Sequence, residues 1–319
     1  MMPRKLLASS IYNATQHGRQ NSQYHLAVAG GCEAALTNMS YLMLCKDDHI
    51  KRIGLALTHY RKVVLTFFLA LLLTSSPSSA FAKRTIRVMT YNIHVGVGMD
   101  KKLDLQRIAD VINKERPDLV GLQEVDRGVE RTQRKDEIVE LAQLTGMEYA
   151  FAHNLDYQGG QYGVAILSKF PIDTIDHRMY QNKREAERRG MIRIEVKIDA
   201  KPVNFVTTHL DYQYQDGRLF EAEQMLQFLS NVKGPLVVVG DLNDEPTGSA
   251  YKLMLNQFAD SWLSGHQTAD GFSYPADKPI KRIDYVFIRK SDRLKIKKAW
   301  VVETLASDHV PVVTEIEVK

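Results

Sequence analysis

Polar residues with chemical potential recur in one setting along this 319-residue chain, the end of an apolar run. Asn92 closes the run 86–92, Glu124 follows Val120-Gly121-Leu122-Gln123, and His209 closes the run 203–209. Asp241 and Asn243 follow the wholly apolar 236–240, Asp284 lies inside 283–288, and Asp308-His309 precede the last apolar run. A carboxylate taken out of water costs several kcal/mol unless it is paired, hydrogen-bonded or bound to a cation. Strand ends that converge would therefore make a site where carboxylates hold a cation or take up a proton and imidazoles donate. Thiolate chemistry is excluded downstream of residue 82, because both cysteines, Cys32 and Cys45, lie upstream of it.

The elements that must carry these residues can be read from periodicity. Strands are expected at 86–92, 118–125, 163–168, 191–198, 203–209, 236–240, 283–288 and 310–318. A helix is expected over 104–115, with Leu105, Ile108, Val111 and Ile112 on one face and Pro117 ending it. A second spans 136–144 and stops at Gly146, and a third spans 216–229 with Leu219, Ala222, Leu226 and Leu229 buried. A further helix is expected after Asp244-Glu245-Pro246, capped by Thr247 or Ser249. Many strands with few helices outside them indicate two packed sheets flanked by helices.

Seven segments occur in order: Val88-Met89-Thr90-Tyr91-Asn92-Ile93-His94, Leu122-Gln123-Glu124-Val125-Asp126, Gly163-Val164-Ala165-Ile166-Leu167-Ser168, Thr208-His209-Leu210, Gly240-Asp241-Leu242-Asn243, Arg282-Ile283-Asp284-Tyr285 and Ser307-Asp308-His309-Val310-Pro311. Together they resemble the endonuclease/exonuclease/phosphatase superfamily over essentially all of 83–319. The resemblance implies an α/β fold, a four-layer αββα sandwich of two mixed β-sheets flanked by helices, with the site at one end. It implies a divalent-metal-dependent hydrolase of phosphodiesters or phosphomonoesters. Glu124 would be the main metal ligand, helped by Asn92 and Asp308, and hard oxygen ligands of this number suit Mg²⁺ or Mn²⁺, which keep waters and bind phosphate oxygens directly. Asp241 would take a proton from the attacking water, and Asn243 would position the water or the phosphate. His309 would bind phosphoryl oxygens, held by Asp284, and His209 would donate to a non-bridging oxygen or help the leaving group. Such a set meets the negative charge that spreads through a phosphoryl-transfer transition state.

One position departs from part of that family, in which an acidic residue stands two places after the first-motif Asn. Here it is His94, which can contact a metal, hydrogen-bond a metal-bound water or pack in its loop. Arg127, Arg131, Arg188 and Arg189 are candidates to clamp phosphate, although the charge run 183–189 also reads as a solvated loop face. Tyr162, Tyr212, Tyr214, Phe272 and Tyr274 are expected in loops, placed to stack on a base or sugar or to rest on a lipid headgroup. Substrate candidates are nucleic acid, a phospholipid or phosphoinositide headgroup (glycosylphosphatidylinositol-related included), or a small phosphoester. A non-catalytic binding domain on the same fold would be expected to have lost a site residue.

Upstream, Arg61-Lys62, the apolar run 63–73 and the Ser/Pro-rich stretch ending Ala80-Phe81-Ala82 have the layout of a secretory signal peptide. The run is shorter than the roughly 20 apolar residues that a membrane-spanning helix needs. Export to the periplasm or medium is expected, with an anchored, uncleaved segment as the alternative. Residues 1–62 carry no sustained period, and Met43 is an alternative start. The whole chain has 42 Lys and Arg against 38 Asp and Glu, but 83–319 has 34 against 35, a net charge of −1. That domain lacks the basic footprint of a non-specific polyanion binder. No obligate protein partner is indicated, and a monomer is expected.

Overall fold

Side-chain alternation along the strands determines which face each residue reaches, and three separate cores result. The computed structural model describes residues 84–265 and 270–318, so the leader 1–62, the signal segment 63–82, the alternative start at Met43 and the cleavage site lie outside the described residues. The strands, in chain order, are β1 (Arg84–Asn92), β2 (Leu119–Arg127), β3 (Glu148–Tyr157), β4 (Gly160–Ser168), β5 (Ile172–Met179), β6 (Gly190–Ile198), β7 (Lys201–His209), β8 (Leu236–Asp241), β9 (Phe258–Asp260), β10 (Asp284–Arg289), β11 (Leu294–Val301) and β12 (Val312–Val318). They form two six-stranded sheets, ordered β11-β12-β1-β2-β4-β3 and β5-β6-β7-β8-β10-β9. Each sheet is mixed and has one parallel pair at its centre, β1 with β2 and β7 with β8.

In β1, Ile86 and Val88 enter the core between the sheets, while Met89 and Tyr91 face helices α1 (Leu105–Glu115) and α2 (Glu137–Thr145). In β8, Val237 and Val239 enter the inter-sheet core, while Leu236 and Val238 face α3 (Gln215–Leu229) and α4 (Ser249–Met254). A short α5 (Ser261–Ser264) follows β9. The layers are therefore helix, sheet, sheet, helix, the expected four-layer sandwich. Each Val, Leu or Ile buried this way contributes about 1.5–3 kcal/mol.

The helices start and stop for local reasons. Asp104 caps α1 by accepting from the backbone N–H of Gln106 and Arg107, and Arg116 ends it in a left-handed conformation before Pro117. Gly146 ends α2 with φ 66°. Two expectations are corrected. Leu219 of α3 is only half-buried, and Met225 takes its place in the core. The cap of α4 is Gly248, not Thr247 or Ser249, and the Asp244 carboxylate serves that helix by accepting from the Tyr251 N–H at 3.1 Å.

The two sheets approach closely beneath one end of the inter-sheet core. A Cβ on Gly121 would lie 2.4 Å from Val239 and 2.7 Å from the Thr207 hydroxyl, so only glycine fits. Here Gln123 donates to Thr207 at 2.7 Å and accepts from Thr90 at 3.3 Å, a buried polar floor shared by both sheets.

Candidate active site

The same alternation that fills the inter-sheet core delivers the polar residues. Asn92 is in phase with Ile86 and Val88, His209 with Val203 and Phe205, Asp241 with Val237 and Val239, and Asp284 with Val286 and Ile288. All four sit at strand ends where that core runs out, and Asp284 stands opposite Asp241 in the β10–β8 register. Glu124 is out of phase, sharing the parity of Val120 and Leu122, which face the helices. A bulge between Leu122 and Val125, with Glu124 at φ 57°, turns its side chain to the site instead. His94 (φ 46°) and Asn243 (φ 49°) are also left-handed, so three non-glycine residues of one site hold a costly backbone conformation.

Asn92 links the two carboxylate sets. Its amide nitrogen donates to Glu124 at 2.9 Å and to Asp241 at 3.1 Å, and its oxygen accepts from the His94 N–H at 3.0 Å. In this structure it positions the carboxylates, and its oxygen is engaged by the backbone.

His309 donates from Nδ1 to Asp284 at 2.8 Å, and its ring lies against Tyr274. Burial works against charge on this imidazole, but Asp284, Asp241 and Asp308 outweigh it and push its pKa up to about 10. Its Nε2 stands 3.8 Å from the Asp241 carboxylate, too far for a hydrogen bond. Burial and then the charge of Asp284 push Asp241 up to about 7. That carboxylate is held on its other oxygen by the Asn243 N–H at 2.8 Å.

His209 is buried, and Arg189 reaches its Nδ1 at 2.6 Å. A guanidinium only donates, so Nδ1 accepts and the ring hydrogen sits on Nε2. Nε2 lies 3.5 Å from Asp241 and 2.9 Å from the Asn243 amide nitrogen, which is itself a donor and no acceptor for Nε2–H. Burial, then Arg189 and His309, hold His209 well below the usual histidine range. A neutral Nε2–H is a hydrogen-bond donor and a poor acid. Of the two roles expected for His209, the structure favours donation to a phosphoryl oxygen over proton transfer to a leaving group.

The donor set fits a divalent cation. The Asp241 and Asp284 oxygens lie within 4.8 Å of one another and of the His309 ring, a buried acidic and imidazole group. Glu124, Asp308 and His94 line the same cleft. The His94 Nδ1 lies 3.1 Å from the Val97 carbonyl, which can only accept, so Nε2 keeps its lone pair. Metal-binding imidazoles are commonly held in this way.

The cleft encloses about 910 Å³. Arg131 and Arg189 line it, but Arg127 does not. Arg127 forms a two-pronged pair with Asp136 at 2.8–3.2 Å, so its expected clamp role is corrected. Arg188 is exposed and outside the lining. Of the aromatics, Tyr162 is a buried residue of β4 rather than a loop residue and lines the cleft with Tyr212 and Tyr274. Phe272 lines a separate hollow beside Trp262, and Tyr214 packs on Arg184. Glu187, Arg218 and Lys281 line the cleft without having been singled out from the sequence. Glu187 was hidden inside the charge run 183–189, where only tertiary contact distinguishes a wall residue from a solvated one.

Comparison with known proteins places the chain in a family. The sequence profile of the Endonuclease/Exonuclease/phosphatase family matches residues 89–309. The uncharacterized protein YbhP of Escherichia coli (strain K12) is 24% identical over 246 residues, covering 73% of this chain and 96% of its own. A putative neutral sphingomyelinase of Caenorhabditis elegans is 26% identical over 216 residues, 58% of this chain and 48% of that protein. Among solved structures, an endonuclease/exonuclease/phosphatase from Beutenbergia cavernae superposes with a TM-score of 0.62 at 24% identity, covering 74% of this chain and 72% of that one. A mannosyl-6-phosphatase from Bacteroides thetaiotaomicron superposes with a TM-score of 0.61 at 18% identity, covering 72% and 99%. At these identities the solved structures speak to the fold.

Proposed function

From the premise that this chain belongs to the endonuclease/exonuclease/phosphatase family, whose members hydrolyse phosphoester bonds with a divalent metal, we propose that it is an exported Mg²⁺- or Mn²⁺-dependent phosphoesterase in which Asp241 activates the attacking water. One observation carries the reading: Asp241 faces the buried Asp284–His309 pair at the mouth of the inter-sheet core, with Glu124 and Asp308 lining the same cleft. Export is supported by the charged, apolar and Ala-x-Ala segments of 61–82.

Each residue's part follows from its surroundings. Asp241, raised toward neutrality, is suited to take the water's proton as the new P–O bond forms. The charged His309 and the neutral Nε2–H of His209 stand 3.8 and 3.5 Å from Asp241, donors available to phosphoryl oxygens beside the attacking water. Asn243 donates from its amide nitrogen to the Leu210 carbonyl at 3.0 Å and steadies the group attacked. The P–O bond to the leaving group breaks on the opposite side, and the departing oxygen takes its proton from solvent. Glu124 and Asp308, with His94 beside them, would hold the divalent ion, which when bound neutralises phosphoryl charge as a Lewis acid.

The purified protein, assayed on bis-p-nitrophenyl phosphate with Mg²⁺ or Mn²⁺, is expected to turn over and to stop with EDTA. Asp241→Asn is expected to lower kcat by about 10²–10⁴-fold. Turnover that survives EDTA, or a near-native Asp241→Asn enzyme, overturns the reading.

A further inference from the structure

The cleft is far larger than one phosphoryl group, so its walls must meet whatever the phosphate is esterified to. Three arginines stand in those walls, and each arrives with its own carboxylate. Arg131 gives Nε and Nη2 to Asp126 at 2.8 and 2.9 Å. Arg189 Nη1 lies 3.2 Å from Glu187, and Arg218 Nε lies 3.4 Å from Asp244. Among the described residues, Lys281 is the lining Lys or Arg with no ion-pair partner, and Glu245 is a lining acid with none. With Asp126 behind Arg131 counted, the wall charges outside the residues assigned to the reaction cancel.

A polynucleotide strand carries one charge per 3.4 Å, and binding it depends on cations free to neutralise several phosphates. Compensated arginines supply hydrogen bonds without that net charge. What remains suits neutral hydroxyl groups. Glu187 and Glu245 are carboxylates able to accept from adjacent hydroxyls, and Gln213 adds an amide. Tyr157 and Tyr212, 40% and 55% exposed, carry Arg131 and Arg189 over one ring face and leave the other for the C–H side of a ring.

Resting on the phosphoesterase reading above, we propose that the cleft takes an ester in which a single phosphate is joined to a polyhydroxylated alcohol (a sugar, a cyclitol or a glycerol headgroup) rather than a polynucleotide. Water adds to phosphorus, the P–O bond to the alcohol breaks, and the alcohol leaves with a proton from solvent.

The test compares kcat/KM of the full-length protein on myo-inositol 1-phosphate, glucose 6-phosphate and glycerophosphoinositol, on phosphatidylinositol and phosphatidylglycerol vesicles, and on single-stranded and duplex oligonucleotides. Bis-p-nitrophenyl phosphate is the common baseline. At least one polyol ester is expected to exceed the oligonucleotides by about tenfold or more, and its kcat/KM is expected to change less than about twofold between about 50 and about 200 mM NaCl, unlike a polyanion. The soluble and vesicle arms separate free esters from lipid headgroups. Glu187→Gln uncovers the charge of Arg189 and is expected to lower the polyol-to-oligonucleotide ratio at least about threefold; an unchanged or raised ratio counts against the proposal. Oligonucleotides as best substrates, with rates falling about tenfold or more over that salt range, overturn it while leaving the phosphoesterase reading intact. No turnover of any ester, the baseline included, overturns both.

Discussion

At the residue scale, the sequence names the groups that meet, and the structure supplies how they are partnered. Asn92, Glu124, His209, Asp241, Asn243, Asp284, Asp308 and His309 were all legible because each interrupts or ends an apolar run, where a polar group needs a reason. Their partnerships were not legible, because they join residues far apart in the chain. Asn92 to Asp241 spans 149 positions, and Arg189 to His209 spans 20. The second pair leads to a residue-scale prediction. If Arg189 fixes the hydrogen of His209 on Nε2, Arg189→Met releases the tautomer and forfeits a charged hydrogen bond worth about 1.5–3 kcal/mol, or roughly 10–100-fold in rate. The loss is expected in kcat more than in KM, with Arg189→Lys recovering part of it, since an ammonium also only donates. The ¹⁵N shifts of the His209 ring are expected to report Nε2–H in the wild type and a mixture in Arg189→Met. A wild-type ring protonated on Nδ1 refutes the assignment.

At the element scale, strand and helix periods were read correctly where one face dominates. β8 has both faces covered and appears as an unbroken apolar run, and α1 shows its stripe from Leu105 to Ile112. The strands missed were β3, β5, β9 and β11. All four are edge strands, and β5 shows why they escape notice: Ile172–Met179 contains Asp173, Asp176, His177 and Arg178, and none of its residues is fully buried. Glu124 was read as a strand-end residue without its bulge, because a bulge is a property of the pairing and not of one strand. Gly121 belongs to the same scale, since its demand comes from the facing sheet. Gly121→Ala sets a methyl 2.4 Å from Val239 and against Thr207, which anchors Gln123 beneath the site. Overpacking of this kind costs about 1–3 kcal/mol, so urea unfolding is expected to show a lowered midpoint with an unchanged slope. Turnover should fall as well, because the two sheets that carry Asn92 and Asp241 are forced apart there. A variant as stable and active as the wild type means the sheets do not need this contact.

At the scale of the whole molecule, the halves of the sandwich repeat one device. In the first half, Glu137 at the start of α2 accepts from the Asp126 N–H at 2.7 Å, two residues past Glu124. In the second, Glu221 of α3 accepts from the Asp211 N–H at 2.7 Å, two residues past His209. Each outer helix thus reaches through its layer with a buried glutamate and pins the chain just beyond a site residue. Burial raises both groups, Glu137 well above the usual range and Glu221 to about 7 against the restraining Asp211 N–H and Arg189. Between the unfolded value of about 4.3 and the folded value, the native state keeps a proton that the unfolded chain has released, so stability falls as pH rises through that window. For Glu221 the loss amounts to about 3–4 kcal/mol, fully present as stability below the unfolded value and gone above about pH 7. Glu221→Gln keeps an oxygen for the Asp211 N–H and removes the titration. Urea unfolding at pH 5 and pH 8 is therefore expected to show the variant gaining on the wild type by about 1–3 kcal/mol as pH rises. A difference between variant and wild type that stays constant across that range would mean Glu221 ionises in the native state as freely as in the unfolded one. The helix would then hold the Asp211 segment by packing alone.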